Sequence, residues 1–286
     1  MRRLGFFVLV PVALTSFGCS ASDREVAAPG DAGAPTDASF VGIVPGDGAA
    51  SCGAGGAEVF GHSDTALYRL DPETKAVTVV GNFKGCYDIL DIALDEDSNL
   101  YGASETGLFR IDRCTATCTL LKEGKKYPNS LSFVPKGTLD PNQEVLVGFI
   151  NGEYHRIDTV TGETKFVGTL SPTNEYRSSG DIVSVKNGGT FVTVLGNGCH
   201  DCLAEIDPVN GRIKKTPVPL PYADVFGLTF WGGSAYGFTN GGQLFEIKFL
   251  GGAAQVGTTG IPIPVAPSGL KFWGAGSTTS APLTIR

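Results

Sequence analysis

Apolar and polar residues alternate in one short unit that recurs five times along the chain. The unit reads x-Leu-Tyr/Phe-x-Ile-Asp in its clearest form, and its copies occupy residues 66–71, 107–112, 153–158, 202–207 and 243–248. Alternation with a period of two predicts a half-buried β-strand, and the turn residues that follow the copies predict hairpins. Because the copies lie 41 to 49 residues apart, we predict a repeat protein.

Two further strands are predicted ahead of each copy, and one short strand after it. The innermost strand has apolar residues at alternate positions, as in 92–94, 131–133, 183–185, 228–230 and 270–272. The next strand is predicted at 100–102, 146–148, 191–193 and 235–237. Four short antiparallel strands per repeat describe one blade of a β-propeller. We therefore predict an all-β fold, a five-bladed β-propeller of four-stranded antiparallel blades.

The phase of the repeat predicts how the ring closes. Residues 58–61 already match the second strand of a blade, so the first blade lacks an inner strand at its start. Residues 268–273 closely resemble residues 226–231 and are predicted to supply that strand from the C-terminal end. Such closure removes the sheet edges that a linear array would expose.

The repeats resemble those of bacterial exported propellers whose units read LYxIDPxTGxxTxVG, which are similar to NHL-like and YVTN-like repeats. The resemblance covers residues 58–273, and the last copy departs from it with Lys248 at the Asp position. It implies architecture rather than activity, because such scaffolds carry lectins, hydrolases, lyases and adaptors.

The N-terminal residues predict export. Met1-Arg2-Arg3 and an apolar run to Gly18 are typical of a signal peptide (1–18), and the run is too short to span a membrane. Residues 14–19 resemble a bacterial lipobox ending at Cys19, the predicted lipidation site, although cleavage after Ala21 is an alternative. We expect an exported lipoprotein of the bacterial cell envelope, anchored at the outer membrane and facing the periplasm or the surface.

The remaining boundaries follow from composition. Residues 19–51 carry the lipidated cysteine and a tether rich in Ala, Gly, Asp and Pro, which is predicted to be disordered. The propeller is predicted at 52–279 and a C-terminal tail at 280–286.

The net charge of −7, without a basic stripe, disfavours nucleic acid as a binding partner. We expect a monomer without a cofactor that contacts the membrane only through its lipid.

Six cysteines besides Cys19 form an even set in a chain predicted to be exported, so disulfides are expected. The expected pairs are Cys114–Cys118, Cys199–Cys202 and Cys52–Cys86. Half a zinc site at Cys199 and Cys202 with His200 is the weaker alternative, because a tetrahedral site needs more ligands.

Neither the recurrent aspartates nor the histidines indicate catalysis. The recurrent Asp71, Asp112, Asp158 and Asp207 precede turns, where aspartate accepts backbone hydrogen bonds. The three histidines form no recognisable nucleophile arrangement, so no catalytic or metal-binding residue is predicted.

The loops that lead into the inner strands ring the predicted channel and hold the candidate ligand site. Four of the five carry a tyrosine close to a carboxylate or amide, a combination that binds sugars or cations. The candidate residues are Tyr87, Asp88, Asp91, Tyr127, Asn129, Tyr176, Asp181, Tyr222 and Asp224. The same residues also suit packing and turns, so a purely structural role is the competing interpretation.

Two functional hypotheses follow. The first is an envelope-tethered, non-enzymatic binding propeller for a protein, peptide or glycan. The second is an exported glycoside hydrolase or lyase, with carboxylates such as Asp88, Asp91, Asp181 and Asp224 in the channel. A purely structural envelope protein is a third possibility.

Overall fold

The structure, a computed structural model, describes residues 58–124, 126–250, 255–263 and 267–284, all within the compact unit Pro45–Arg286. The predicted signal peptide, the Cys19 lipidation site, the tether and Cys52 lie outside the described residues. No helix long and apolar enough to cross a membrane is found in the described ranges.

Twenty strands form five antiparallel sheets of four strands across the described residues, which confirms the predicted five-bladed propeller. Blade 1 contains β20 (Gly274–Ser277), β1 (Val59–His62), β2 (Ala66–Leu70) and β3 (Val77–Asn82). Blade 2 contains β4 (Asp91–Leu94), β5 (Leu100–Ala103), β6 (Gly107–Ile111) and β7 (Cys118–Glu123). Blade 3 contains β8 (Leu131–Val134), β9 (Val145–Ile150), β10 (Glu153–Ile157) and β11 (Thr164–Thr169).

The last two blades follow the same order from the inside outwards. Blade 4 contains β12 (Arg177–Ser184), β13 (Thr190–Gly196), β14 (Cys199–Glu205) and β15 (Val218–Pro219). Blade 5 contains β16 (Val225–Trp231), β17 (Ser234–Thr239), β18 (Leu244–Phe249) and β19 (Val256–Ile261). A hydrophobic cluster fills the space between each pair of neighbouring blades, so the core is divided into five parts around the ring.

The ring closes through the C-terminal strand, as predicted, but the position predicted for that strand is wrong. β20 pairs with β1 in the register Val59 to Ser277 and His62 to Gly274, whereas residues 268–273 form the approach to β20. Phe272 in this approach is fully buried, and its ring contacts those of Tyr68 and Phe238. The apolar alternation at 270–272 therefore reflects packing between blades 5 and 1.

The closing strand itself consists of small residues because the centre of the ring is crowded. A Cβ atom at Gly276 would lie 2.8 Å from the carbonyl oxygen of Ile92 and 3.1 Å from the Leu94 side chain. A strand of Gly-Ala-Gly-Ser carries little of the apolar alternation that marks the other inner strands, so its pattern did not predict it.

The recurrent aspartates cap turns, as predicted. The backbone N–H groups two residues after Asp71, Asp112, Asp158 and Asp207 donate to the aspartate Oδ1 at 2.8 to 3.0 Å. Hydrogen bonds from Thr161 and Val160 hold the pKa of Asp158 below its usual value. These turns lie at one end of the ring. We call this end the plugged face, because residues 278–283 cross it.

Disulfides are present, but two of the three predicted pairs are wrong. Cys86 bonds to Cys118, which excludes the predicted Cys114–Cys118 and Cys52–Cys86 pairs, whereas Cys199–Cys202 is confirmed. Lys84 forms a parallel bridge with Thr117, and this bridge brings the chain after β3 against the start of β7. The bond therefore joins the segments of two successive blades rather than the two sides of one hairpin.

Residues that follow β20 cross the plugged face. Thr278 bridges to Leu94 of blade 2, the Thr279 carbonyl accepts a hydrogen bond from Lys186 N at 2.9 Å, and Pro282 O accepts one from Gly232 N at 2.7 Å. We call residues 278–283 the plug, because they cross this end of the ring and contact blades 2, 4 and 5. Residues 280–283, predicted as part of a tail, thus lie against the ring.

Candidate functional site

A cavity of about 370 Å³ opens at the end of the channel opposite the plug. Each of the five blades contributes to it, mostly through the residues just before its inner strand. Its walls are Leu90, Asn129, Ser179, Gly180, Phe226, Asn240, Lys271 and Trp273. We call this cavity the mouth, and its size is in the range of pockets that bind small ligands.

Two fully buried carboxyl groups lie next to the mouth, because Asp91 and Asp181 directly follow wall residues. Asp91 on β4 accepts hydrogen bonds from the inner strands of the blades on both sides. Its Oδ2 accepts from Leu131 N of blade 3 at 2.6 Å, and its Oδ1 accepts from Ile92 N at 2.8 Å and from Ala275 N of blade 1 at 3.2 Å. This single carboxyl group therefore connects the inner strands of three blades.

Asp181 on β12 repeats the arrangement on the other side of the ring. Its Oδ1 accepts from Ile182 N at 2.6 Å, and its Oδ2 accepts from Leu228 N of blade 5 at 2.7 Å. Asp91 and Asp181 also hydrogen-bond to each other. Together the pair ties all five inner strands around the axis.

The environment of this pair favours a bound proton. Burial and the neighbouring carboxyl group raise the pKa of Asp91 well above its usual value. Burial also raises the pKa of Asp181, even though several hydrogen bonds oppose the shift. Since two ionised carboxylates in contact repel each other, this environment favours the form in which the pair shares one proton.

His62 is a second buried polar group near this pair. It is the last residue of β1 and is fully buried. Its Nδ1 donates to Ser63 O at 2.9 Å, its Nε2 has no hydrogen-bond partner among the described residues, and burial lowers its pKa to about 4. A Cβ at Gly274 would overlap Asp91 Oδ1 and lie 2.7 Å from His62 Nε2, so only glycine fits here.

The structure places the predicted polar site residues in three different environments. Asn129 lines the mouth, and Asp91 and Asp181 lie buried beside it. Asp88 and Asp224 are exposed loop residues with positive φ values of 52° and 55°, and neither lines the mouth. The predicted set therefore contains part of the mouth and its support, but it is not one cluster.

Two of the predicted tyrosines pack between blades. Tyr127 is buried, and its hydroxyl donates to Gly162 O at 3.2 Å. Tyr222 stacks on Phe245, with ring centroids 4.0 Å apart. Neither ring lines the mouth.

The other two tyrosines lie further out on the ring. Tyr87 is 71% exposed and borders a separate groove on blade 2. Tyr176 is half-buried, and its hydroxyl accepts a hydrogen bond from Asn197 Nδ2 at 3.1 Å. The four tyrosines are thus equivalent in the repeat but do not form a ring around the mouth.

Apart from Asn129, the sequence pattern did not indicate the wall residues, which are Leu90, Ser179, Gly180, Phe226, Asn240, Lys271 and Trp273. The alternation at 270–272 predicts an inner strand and therefore does not indicate Lys271 and Trp273 as lining residues. One signal in the sequence could have found Leu90 and Phe226. Each lies just before an inner strand or within the first two positions of one, where a side chain faces the channel opening.

The described ranges contain no group of three or more His, Cys, Asp and Glu side chains that could hold a metal ion. Cys199 and Cys202 are bonded to each other, which removes the alternative of a zinc site there.

No protein-family model and no curated protein matches the sequence. Among solved structures, the chain is similar to a nidogen/laminin complex at 10% identity and a TM-score of 0.48, covering 79% of this chain and 100% of that one. It is also similar to the β-propeller domain of Cps50 (Swd1) from Myceliophteria thermophila, at 10% identity and a TM-score of 0.41, with 77% and 71% covered. A protein of unknown function from Bacteroides caccae matches at 14% identity and a TM-score of 0.39, with 72% and 73% covered. Similarity at this level assigns no function.

Proposed function

We propose that this chain is an exported binding module whose ligand occupies the mouth. The observation that carries the proposal is that all five blades contribute walls to this one cavity, while the plug crosses the opposite face. A cavity lined by apolar side chains with a few convergent polar groups is the usual form of a ligand site.

The arrangement of the buried carboxyl groups favours binding over glycoside hydrolysis. Glycosidases hold two carboxyl groups about 5–10 Å apart on either side of the sugar. Asp91 and Asp181 instead contact each other, are fully buried and accept backbone hydrogen bonds. We assign them the structural role of holding the inner strands together beneath the binding site.

Export and envelope attachment remain part of the proposal. The Cys86–Cys118 and Cys199–Cys202 disulfides suit an oxidising compartment such as the periplasm or the cell exterior. The signal-peptide pattern and the lipobox at Cys19 support attachment to the envelope. Mass spectrometry of the mature N-terminus tests this, with a lipidated Cys19 expected and an unmodified Ser22 start contradicting it.

A mouth-blocking variant tests the binding proposal. The protein is screened by thermal shift against small carboxylic acids, short peptides and oligosaccharides, together with Asn129→Trp, which fills the mouth, and Asn142→Trp, an exposed control. We expect at least one probe to stabilise the wild type and the control but not Asn129→Trp. Stabilisation of all three proteins alike would place the ligand elsewhere.

The same variants test the hydrolase alternative. Each protein is incubated with 4-nitrophenyl glycosides and esters under conditions in which the fold is intact. We expect no turnover above the buffer rate. Turnover by the wild type that disappears in Asn129→Trp and persists in Asn142→Trp would overturn the non-enzymatic proposal.

A further inference from the structure

Lys271 and Trp273 bring a cation and an indole to the same cavity wall. Between them Phe272 is fully buried against Tyr68 and Phe238, and its backbone N–H donates to Thr239 O at 3.2 Å. This buried ring anchors the segment, so the two flanking side chains are held at the mouth. The binding surface is therefore built on a packed element.

Lys271 is the one charged residue among the walls of the mouth. It is exposed, and within the described ranges no carboxylate forms an ion pair with it. The nearby Asp91 and Asp181 are already engaged by backbone N–H groups and by each other. The ammonium group is thus available to an incoming anion, in a chain whose net charge is −7.

The remaining walls combine three apolar side chains with neutral polar groups. Leu90, Phe226 and Trp273 supply apolar surface, and Asn129 and Ser179 supply hydrogen-bonding groups. Asn240 is fixed, because its Nδ2 donates to Phe272 O at 3.2 Å. Such walls suit an apolar group, and the single ammonium supplies a charge-assisted hydrogen bond to an anionic group carried on it.

We propose that the mouth binds a carboxylate carried on an apolar group, with the apolar part between Leu90, Phe226 and Trp273 and the carboxylate at Lys271. The inference rests on the proposed function, since it identifies the ligand class of that same site. The carboxylate has two possible sources, a free organic acid or the C-terminus of a peptide.

Two grooves flank the mouth and distinguish these sources. One groove shares Leu90 and Asn129 with the mouth and extends towards Ile150. The other shares Lys271 and Trp273 and extends towards Tyr68. A peptide that ends at Lys271 gains contacts in a groove with the residues before its C-terminus, whereas a free acid does not.

Trp273 serves as the reporter. The chain has two tryptophans, so Trp231→Phe leaves Trp273 as the single indole. In this background, fluorescence titrations compare 3-phenylpropionate with 3-phenylpropanamide, and acetyl-Gly-Gly-Phe with its C-terminal amide. Maltotriose serves as the glycan probe. The further variants are Lys271→Gln and, as a matched control, Lys165→Gln on the exposed outer strand β11.

We expect both acids to bind about tenfold or more tightly than their amides, because the amide loses a charge-assisted hydrogen bond. Lys271→Gln abolishes this preference and Lys165→Gln preserves it. A peptide acid that binds more tightly than 3-phenylpropionate identifies the peptide terminus as the source, and the reverse order identifies a free acid.

Other outcomes overturn the inference. Equal affinity for acids and amides, binding of maltotriose alone, or no binding of any of the four phenyl probes each contradicts it. Equal affinity that is still abolished by Asn129→Trp leaves the proposed function intact, so failure of the inference is distinguishable from failure of the binding proposal.

Discussion

Asp91 and Asp181 hydrogen-bond to each other at the centre of the ring, although 90 residues separate them in the sequence. They come from blades 2 and 4, and both are fully buried. Through Leu131, Leu228 and Ala275 their oxygens reach the inner strands of the other three blades. The pair is thus a central connection of the propeller and supports the floor of the mouth.

Substitution of Asp181 by Asn should destabilise the ring. Both oxygens of Asp181 accept backbone N–H groups, so an amide NH₂ must face one of these donors. We expect a loss of about 1–3 kcal/mol in the free energy of unfolding, measured by urea denaturation. Asp88→Asn, at an exposed aspartate, should change the free energy by less than about 0.5 kcal/mol. Equal effects of both variants would refute the role of the pair.

The carboxyl group of Glu144, on the plugged face, makes the stability of the folded protein depend on pH. Burial, assisted by the charges of Glu96 and Asp95, raises the pKa of Glu144 from 4.5 to about 7, although Thr279 and Glu96 N donate hydrogen bonds to it. Between these two pH values the folded protein holds a proton that the unfolded chain releases, so stability falls as the pH rises from 4.5 to about 7. The effect should be about 1 kcal/mol after allowance for solvent screening.

Glu144→Gln should remove this slope. We expect denaturation curves recorded across this pH range to show the variant gaining stability relative to the wild type as the pH rises, with no further gain above about pH 7. Glu123→Gln, at an exposed glutamate on β7, serves as the control. A constant difference between Glu144→Gln and the wild type at every pH would contradict the assignment.

The plug should contribute to stability through Ala281. This residue is 4% exposed and packs into the cluster between blades 4 and 5. Ala281→Asp places a carboxylate in that cluster and should lower the free energy of unfolding by more than about 2 kcal/mol. The neighbouring Ser280 is exposed, so Ser280→Asp should have little effect on the melting temperature. Similar melting temperatures for the two variants would mean that residues 280–283 are a free tail.

The two disulfides of the described residues should contribute differently to the free energy of unfolding. Cys86–Cys118 closes a loop with a sequence separation of 32, and Cys199–Cys202 one with a separation of 3. A disulfide that closes a longer loop restricts the unfolded chain more. Paired alanine substitutions should therefore lower the free energy of unfolding by about 4 kcal/mol for the first bond and by about 2 kcal/mol for the second. Non-reducing peptide mapping checks the pairing directly, and a Cys114–Cys118 peptide would contradict it.

The effect of removing a tyrosine ring on stability should depend on how deeply that ring is buried. Tyr127→Ala removes a ring that is 5% exposed and should cost about 3 kcal/mol or more, whereas Tyr87→Ala, at a ring 71% exposed, should change the free energy by less than about 0.5 kcal/mol. Thermal unfolding of both variants tests this. Equal melting temperatures would instead support a ring of tyrosines that acts in ligand binding and not in packing.

Most of the architecture was predictable because the repeat is local. The alternation at residues 66–71 and its copies specifies the third strand of each blade, and the aspartates specify the turns that follow. The closing strand could not be located, because its small residues suit a crowded axis and carry no alternating apolar pattern.

The site was less predictable because it depends on distances across the ring. Asp91 and Asp181 were candidates, but their contact depends on the channel radius, which no local pattern specifies. The Cys86–Cys118 bond likewise depends on a bridge between Lys84 and Thr117 of adjacent blades. Repeat equivalence made the tyrosines prominent, whereas Lys271 and Trp273 lie in a segment whose alternation predicted an inner strand.

A crystal structure with the tightest-binding probe of the panel would show whether the ligand occupies the mouth. We expect ligand density between Phe226 and Trp273, with a carboxylate within hydrogen-bond distance of Lys271 Nζ. Density only between the outer strands or on the plugged face, with the mouth unoccupied by the probe, would contradict it.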